Sequence, residues 1–287
     1  MKTNRQIDIM GIVNVTDDSY FAESRCSDTD PVLRRVSRMV EEGVDIVDIG
    51  ACSSRPGSVP VGADEEWRRL APVLPVLKDA FPELRISVDT YWSSVVEKVH
   101  DTIGDFIVND ISAGDDDPQM LPLVGRLGLE YVAMHKRGTS VDMQTMTDYE
   151  DVTAEVGRYF ASFAEKAEDF GIRNWILDPG FGFAKTVEQN YELLSRLPEM
   201  ISSFRGVTAD MSLRGASATW QSPAPRILIG VSRKSMIYKP LGITPEDALP
   251  ATQALHMAAL MAGADILRVH DVKEARQTAA IYNLLNS

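Results

Sequence analysis

Short apolar runs recur along the chain, each giving way to polar or glycine-rich sequence and then to a stretch with helical spacing. The runs fall at 7–13, 45–49, 84–88, 106–108, 131–134, 175–177, 227–231 and 266–269. Unalternating runs of this length predict strands buried on both faces. Between them, helices are expected over about 30–42, 64–80, 93–100, 118–127, 153–170, 187–197 and 245–261, and a last helix closes the chain. Asp30 and Pro31 suit the N-cap and first position of the first helix. Pro72 and Pro75 are expected to bend the second. Regular alternation across 287 residues leaves no gap for a second domain. It predicts a single α/β domain over residues 1–287, a (β/α)8 TIM barrel rather than a doubly wound sheet.

One segment breaks the rhythm. Residues 200–225 are rich in Ser, Gly, Ala and Arg and exceed the usual helix-to-strand connection. The segment enters a strand from its amino end, so a mobile surface insertion opposite the active face is expected. Asp115, Asp116 and Asp117 read as a solvated turn.

Composition narrows the function. A net charge of −13 argues against nucleic acid as partner, because a phosphate backbone needs a basic footprint. It leaves room for a small anion held by a local cluster of cations. No apolar run reaches membrane-spanning length, and Met1 to Gln6 does not read as a secretory signal. Cys26 and Cys52 cannot form a disulfide framework, so a cytoplasmic protein is expected.

Barrel enzymes carry their chemistry at the carboxyl ends of the strands. Here those positions hold Asn14, Asp48, Asp89, Asn109, His135, Asp178, Lys234, Arg268 and His270. Singly, each has a structural explanation: Asp48 could cap a turn, and Arg268 could pair with Asp48 or Asp271. Together they exceed what stability requires. Carboxylates and amides suit a flat polar heterocycle, and Arg55, Lys234, Arg268 and His270 suit a phosphate or pyrophosphate. Other chemistries lack their motifs. Gly180-Phe-Gly182 misses the third glycine of a dinucleotide fingerprint, and Gly230-Val-Ser232 misses the second glycine of a nucleophile elbow. The four histidines lack zinc spacing.

Eight segments in order then carry a family resemblance. They are Gly11-Ile-Val-Asn-Val-Thr-Asp-Asp-Ser-Tyr20, Asp48-Ile-Gly-Ala-Cys-Ser-Ser-Arg-Pro-Gly57, Ser87-Val-Asp-Thr90, Asn109-Asp-Ile-Ser112, Met134-His135, Asp178-Pro-Gly-Phe-Gly-Phe183, Ser232-Arg-Lys-Ser235 and Arg268-Val-His-Asp271. The chain resembles the bacterial dihydropteroate synthases nearly end to end. That resemblance implies condensation of 6-hydroxymethyl-7,8-dihydropterin pyrophosphate with p-aminobenzoate, by SN1-like loss of pyrophosphate. It implies a pterin held by Asp89, Asn109, Asp178 and Lys234. Asn14, Arg55, Arg268 and His270 resemble the pyrophosphate and Mg²⁺ set, with Asn14 as the metal's oxygen ligand. Ser54, Pro56 and Ser235 resemble the p-aminobenzoate contacts, and a homodimer is implied. The sequence departs from the family at Asp17, Ala22, Cys52, Ser54 and Ala184. Two other readings stay open: a pterin-dependent methyltransferase, and a non-catalytic pterin-binding paralogue.

Overall fold

The computed structural model describes residues 5–15, 30–52, 61–139, 142–204 and 225–287. Among these are eight strands: β1 (Asp8–Asn14), β2 (Ile46–Gly50), β3 (Arg85–Asp89), β4 (Ile107–Asp110), β5 (Glu130–Met134), β6 (Trp175–Asp178), β7 (Arg226–Ile229) and β8 (Ile266–Val269). All pairings are parallel and run in sequence order, and β1 also pairs with β8, so the sheet closes on itself. The expected single (β/α)8 barrel is what forms.

The helices include α1 (Asp30–Glu41), α2 (Ala63–Leu70), α3 (Leu74–Ala80), α4 (Ser93–Ile103), α5 (Met120–Leu127), α6 (Val152–Asp169), α7 (Val187–Ser195), α8 (Ser235–Leu241), α9 (Leu249–Ala262) and α10 (Val272–Asn286). Local chemistry sets several of their starts. Asp151 accepts from the Ala154 amide at the start of α6, and Thr186 and Gln189 cap α7 reciprocally. The expected helix over 64–80 is not bent but divided. Pro72 lies in the break, where its missing amide costs no helical hydrogen bond, and Pro75 enters the first turn of α3. Helix α8 is too short to show in periodicity and is an addition to the expected pattern.

Along each strand, side chains alternate between the barrel interior and the helices. The interior is therefore a stack of layers. Its middle layer is an apolar plug of Met10, Ile46, Ile107, Val132, Ile176, Leu228 and Ile266. Two residues earlier on four of the strands stand charges that pair across the amino end: Arg85 and Arg226 both reach Asp8, and Arg85 also reaches Glu130. Two residues later come Asp48, Asn109, Asp178, Gly230 and Arg268. One strand period therefore separates a dry plug from a polar crown, and the crown faces the carboxyl end where barrel sites form.

The expectation for 200–225 needs correcting at its start. Residues 197–204 are helical, and Met200, Ile201 and Phe204 are buried in the core, with the Phe204 ring edge-on to Trp175 at 5.5 Å. These side chains fill space under β6, which composition alone did not reveal. Residues 205–224 lie outside the described residues. Deleting 205–224 behind a short linker is expected to leave turnover near wild type. Extending the deletion back to Met200 is expected to cost several kcal/mol by emptying core volume. Thermal unfolding of the two variants checks this, and equal stability would contradict it.

The three consecutive aspartates lie in a turn with Asp115 and Asp116 exposed, as expected, and each also has a partner. Asp115 pairs with Lys166, Asp116 with Lys136, and Asp117 accepts from the Ser93 amide at the head of α4. They pin the β4 loop to its neighbours.

Candidate active site

Asp48, Asp89 and Arg268 form the centre of the polar crown. Asp48 is fully buried at the middle of β2. It accepts from Arg268 Nε at 2.7 Å, Asn109 Nδ2 at 3.0 Å and Ser87 Oγ at 2.6 Å. The same guanidinium gives its Nη2 to Asp89 at 2.9 Å. Of the two partners considered for Arg268, Asp48 is the one it takes. Asp271 is occupied by Arg233, whose Nε and Nη2 grip it at 2.8 and 2.9 Å. Arg233 adopts a left-handed backbone, φ +53°, and its Nη1 also meets the Pro245 and Glu246 carbonyls. It is turned away from the crown while Lys234, next in sequence, turns in.

One guanidinium thus faces two carboxylates. Burial, reinforced by neighbouring Asp48 and opposed by Arg268, pushes Asp89 up to about 7. Against the cost of burial, Asp48 and Asp89 hold Arg268 firmly cationic. Removing one charge of the set would leave its partners buried and uncompensated, so Asp48, Asn109, Asp89 and Arg268 act as one framework.

A second group stands across the barrel mouth. Asp178 ends β6, and its Oδ1 accepts from the Gly180 amide at 2.8 Å, which turns the chain immediately after the strand. Gly180 has φ +69°, and a Cβ there would lie 1.9 Å from the His135 carbonyl oxygen, so only glycine fits. Lys234 Nζ donates to the Phe181 carbonyl at 2.5 Å and sits 4.6 Å from the Phe183 ring centre. Burial lowers Lys234 to about 8, with Asp178 supporting the charged form. Burial also raises Asp178, against the pull of Lys234.

Gly230 marks where the two groups converge. A Cβ built on it would stand 3.9 Å from Asp178 Oδ2, 4.0 Å from Lys234 Nζ and 3.9 Å from Arg268 Cβ. Having no side chain at that point leaves a slot edged by a carboxylate and an ammonium. Gly50 does the same on the other side: its added Cβ would meet Asn14 Oδ1 at 3.6 Å and Asp89 Cβ at 3.5 Å. The register aligns Asn14, Gly50, Asp89 and Asn109 at one level of the sheet.

Asn14, Asp89, Asn109, Asp178, Lys234, Ser235, Arg268 and His270 therefore all lie at the carboxyl ends of the strands or just beyond them. Ser54, Arg55 and Pro56 lie outside the described residues, as do Asp17, Ala22 and Cys26. His270 is not the cation its grouping with Arg268 and Lys234 suggested. Burial, with Arg268 adding to it, lowers it to about 4, and Ser232 Oγ stands 3.1 Å from its Nδ1. It can offer a neutral N–H to an anion. Asn14 is exposed at the rim, with its side-chain oxygen beside Asp89.

Two contributors, Asp110 and Lys185, escape the reading of strand ends, and a third is seen there without a role. Asp48 stands at a strand end in the sequence with no site role implied, although it opens the segment Asp48-Ile-Gly-Ala-Cys. Asp110 accepts from Tyr131 Oη, from Ser112 Oγ and backbone N, and from the Gly114 amide, which sets the loop beside Asn109. Lys185 lies buried under the loop that follows Asp178. Ala184, standing where the family has glycine, has φ +50°, a conformation costing an L-residue about 1–2 kcal/mol.

Residues 10–270 match the family of pterin binding enzymes. The folic acid synthesis protein fol1 of Schizosaccharomyces pombe is 37% identical over 280 residues, covering 96% of this chain. The chain spans 36% of that longer relative. The dihydropteroate synthase of Escherichia coli K12 is 36% identical over 268 residues, covering 93% of this chain and 87% of the relative. The dihydropteroate synthase of Xanthomonas albilineans, solved with 4-aminobenzoic acid, superposes with a TM-score of 0.83 at 33% identity, covering 99% of this chain and 95% of that one. With the barrel and its polar crown, these matches establish that the chain belongs to the pterin-binding enzyme family, among the dihydropteroate synthases.

Proposed function

We propose that the chain condenses 6-hydroxymethyl-7,8-dihydropterin pyrophosphate with p-aminobenzoate, giving 7,8-dihydropteroate and pyrophosphate. The observation that carries this reading is the slot at Gly230, where the Asp178 carboxylate and the Lys234 ammonium converge, with Asp89 and Asn109 paired at one level of the same crown. A pterin presents an aminopyrimidine edge of N–H donors beside a ring carbonyl. Asp178 Oδ2 accepts from that edge, Lys234 donates to the carbonyl side, and Asn109, held by Asp48, keeps its side-chain oxygen for the ring. Arg268 and His270 take the pyrophosphate, together with Arg55. Ser54, Pro56 and Ser235 complete the p-aminobenzoate pocket.

Mg²⁺ fits this donor set. Among the described residues no three acidic, His or Cys side chains cluster as a metal cage. A hard cation that keeps its waters needs only one protein oxygen beside substrate phosphates, which exposed Asn14 offers. When bound, the ion supplies charge neutralisation to the leaving pyrophosphate.

The carbon–oxygen bond breaks with its electron pair going to pyrophosphate, and the methylene cation left behind is conjugated with the electron-rich dihydropterin. Asp178 and Asp89 stabilise positive charge there. The amine nitrogen of p-aminobenzoate then forms the new bond and releases its proton. Incubation with both substrates and Mg²⁺ should form dihydropteroate and pyrophosphate, and pyrophosphate should appear slowly even without p-aminobenzoate. Pterin binding with no turnover would instead identify a non-catalytic paralogue. Methyl transfer without pyrophosphate dependence would identify a methyltransferase.

A pH profile follows from two of the shifted groups, Asp89 and Lys234. Pterin capture uses the Asp89 carboxylate, which forms as pH rises through about 7, and the Lys234 ammonium, which is lost through about 8. The kcat/KM for the pterin substrate should climb on the acid side, peak between these values and fall beyond them. Lys234→Arg should move the alkaline limb upward. A profile flat across this interval would remove both groups from substrate capture.

A cytoplasmic homodimer completes the proposal. Ile281, Leu284 and Leu285 share one face of α10 and are 51%, 70% and 63% exposed, an apolar strip that a second copy would cover. No described helix is long and apolar enough to cross a membrane. Sedimentation as a 31.7 kDa species would count against the dimer.

A further inference from the structure

Lys185, between β6 and α7, is buried. Its Nζ lies 3.0 Å from His135 Nδ1, and it donates to the Gly180 and Phe183 carbonyls at 3.1 Å each. An ammonium has three N–H donors and no acceptor, so three acceptors saturate it. Burial lowers Lys185 to about 7, with Asp178 supporting the charged form, and while Nζ is an ammonium Nδ1 accepts, which leaves the ring proton on Nε2. Burial, with Lys185 and Arg137 adding to it, keeps that ring uncharged.

The three acceptors belong to both borders of the pterin slot. His135 follows β5, and its amide donates to the Asp178 carbonyl at 2.9 Å. Gly180 supplies the amide that Asp178 Oδ1 accepts, and Gly180 is pressed against the His135 carbonyl. Phe183 provides the ring beside Lys234, and Phe181, between the two carbonyls, accepts from Lys234 Nζ. Asn190 closes the far side, accepting from the Gly182 amide at 2.7 Å and donating to the Lys185 carbonyl at 3.3 Å. The loop 179–186 thus has an apolar anchor in the fully buried Phe181 and, beside it, a buried cation that ties the loop to His135. Burying an ammonium is costly, and a loop that only had to close could use an apolar side chain. Here the cation meets three groups whose positions set where Asp178 and Lys234 point.

We propose that Lys185 is a positioning residue for the pterin site, its ammonium bonding His135 Nδ1 and the Gly180 and Phe183 carbonyls so that Asp178 and Lys234 are held at the slot. The inference rests on the reading that Asp178 and Lys234 hold the pterin. Lys185→Met keeps all but the last atom of the side chain's length and removes all three donors. Lys185→Gln keeps two of them.

Calorimetric titration with the dihydropterin pyrophosphate tests this, well below each variant's melting temperature. Lys185→Met should bind on the order of tenfold more weakly or worse, and Lys185→Gln should fall between it and wild type. A merely structural lysine would lower the melting temperature and leave the dissociation constant of the folded variant unchanged. The nitrogen NMR spectrum of the histidines in the wild-type protein needs no variant: His135 should carry its proton on Nε2. A proton on Nδ1 there would overturn the proposal, as would Lys185→Met binding within about twofold of wild type. A wild-type chain that binds no pterin would overturn the functional reading as well, which separates the two failures.

Discussion

Asp178→Asn should abolish useful pterin affinity while leaving the barrel folded. The carboxylate has two duties, and the substitution separates them. Oδ1 accepts from the Gly180 amide, which an asparagine oxygen can still do, so the turn after β6 survives. Oδ2 faces the slot at Gly230 beside Lys234. An amide nitrogen there presents donors to the donors of the aminopyrimidine edge, and one pterin N–H is left without an acceptor. Lys234 also loses the anion that supports its charge against burial, so its alkaline loss of proton should begin earlier. Losing a charge-assisted pair of this kind costs about 2–4 kcal/mol, between roughly thirtyfold and a thousandfold in the dissociation constant. Calorimetry with the pterin substrate measures it. Binding within a few-fold of wild type would remove Asp178 as the anchor.

Asp48→Ala should have the largest effect on stability. Asp48 contacts no ligand in this scheme, yet it accepts from Arg268, Asn109 and Ser87 at the centre of the barrel. Without it, the Arg268 guanidinium stays buried with only Asp89 to answer it. Breaking a buried pair by removing one partner costs about 3–5 kcal/mol, and in a domain of this size that lowers the melting temperature by roughly 10 °C. The site should suffer too, because the Asn109 amide loses the acceptor that orients it. Surviving folded protein should bind both pterin and pyrophosphate weakly, in contrast to Asp178→Asn, which should spare pyrophosphate. A melting temperature within about 2 °C of wild type would show that Asp48 does not hold the framework.

Strand order, barrel closure and the polar residues at the strand ends were legible in the sequence because each depends on near neighbours. The run Trp175-Ile-Leu-Asp178 reads as a buried strand ending in a carboxylate, and period two puts Ile176 in the plug and Asp178 in the crown. The same step links Ile107 to Asn109 and Ile266 to Arg268. Once each strand is located, the active layer is two residues past the apolar one.

Which groups pair, and in which protonation state, was decided only by the tertiary structure. Arg268 could have met Asp48 or Asp271, and nothing local distinguishes them. Closure of the barrel brings Arg268 onto Asp48 across a separation of 220 residues, while the left-handed backbone at Arg233 delivers that side chain to Asp271. His270 looks basic as a letter in the chain, but burial beside Arg268 makes it neutral. Lys185 looks like an ordinary loop lysine, and Met200 and Phe204 look like the start of a polar insertion, until packing encloses all three. Periodicity is a property of adjacent residues, whereas desolvation and ion pairing depend on what the rest of the chain brings within a few ångströms.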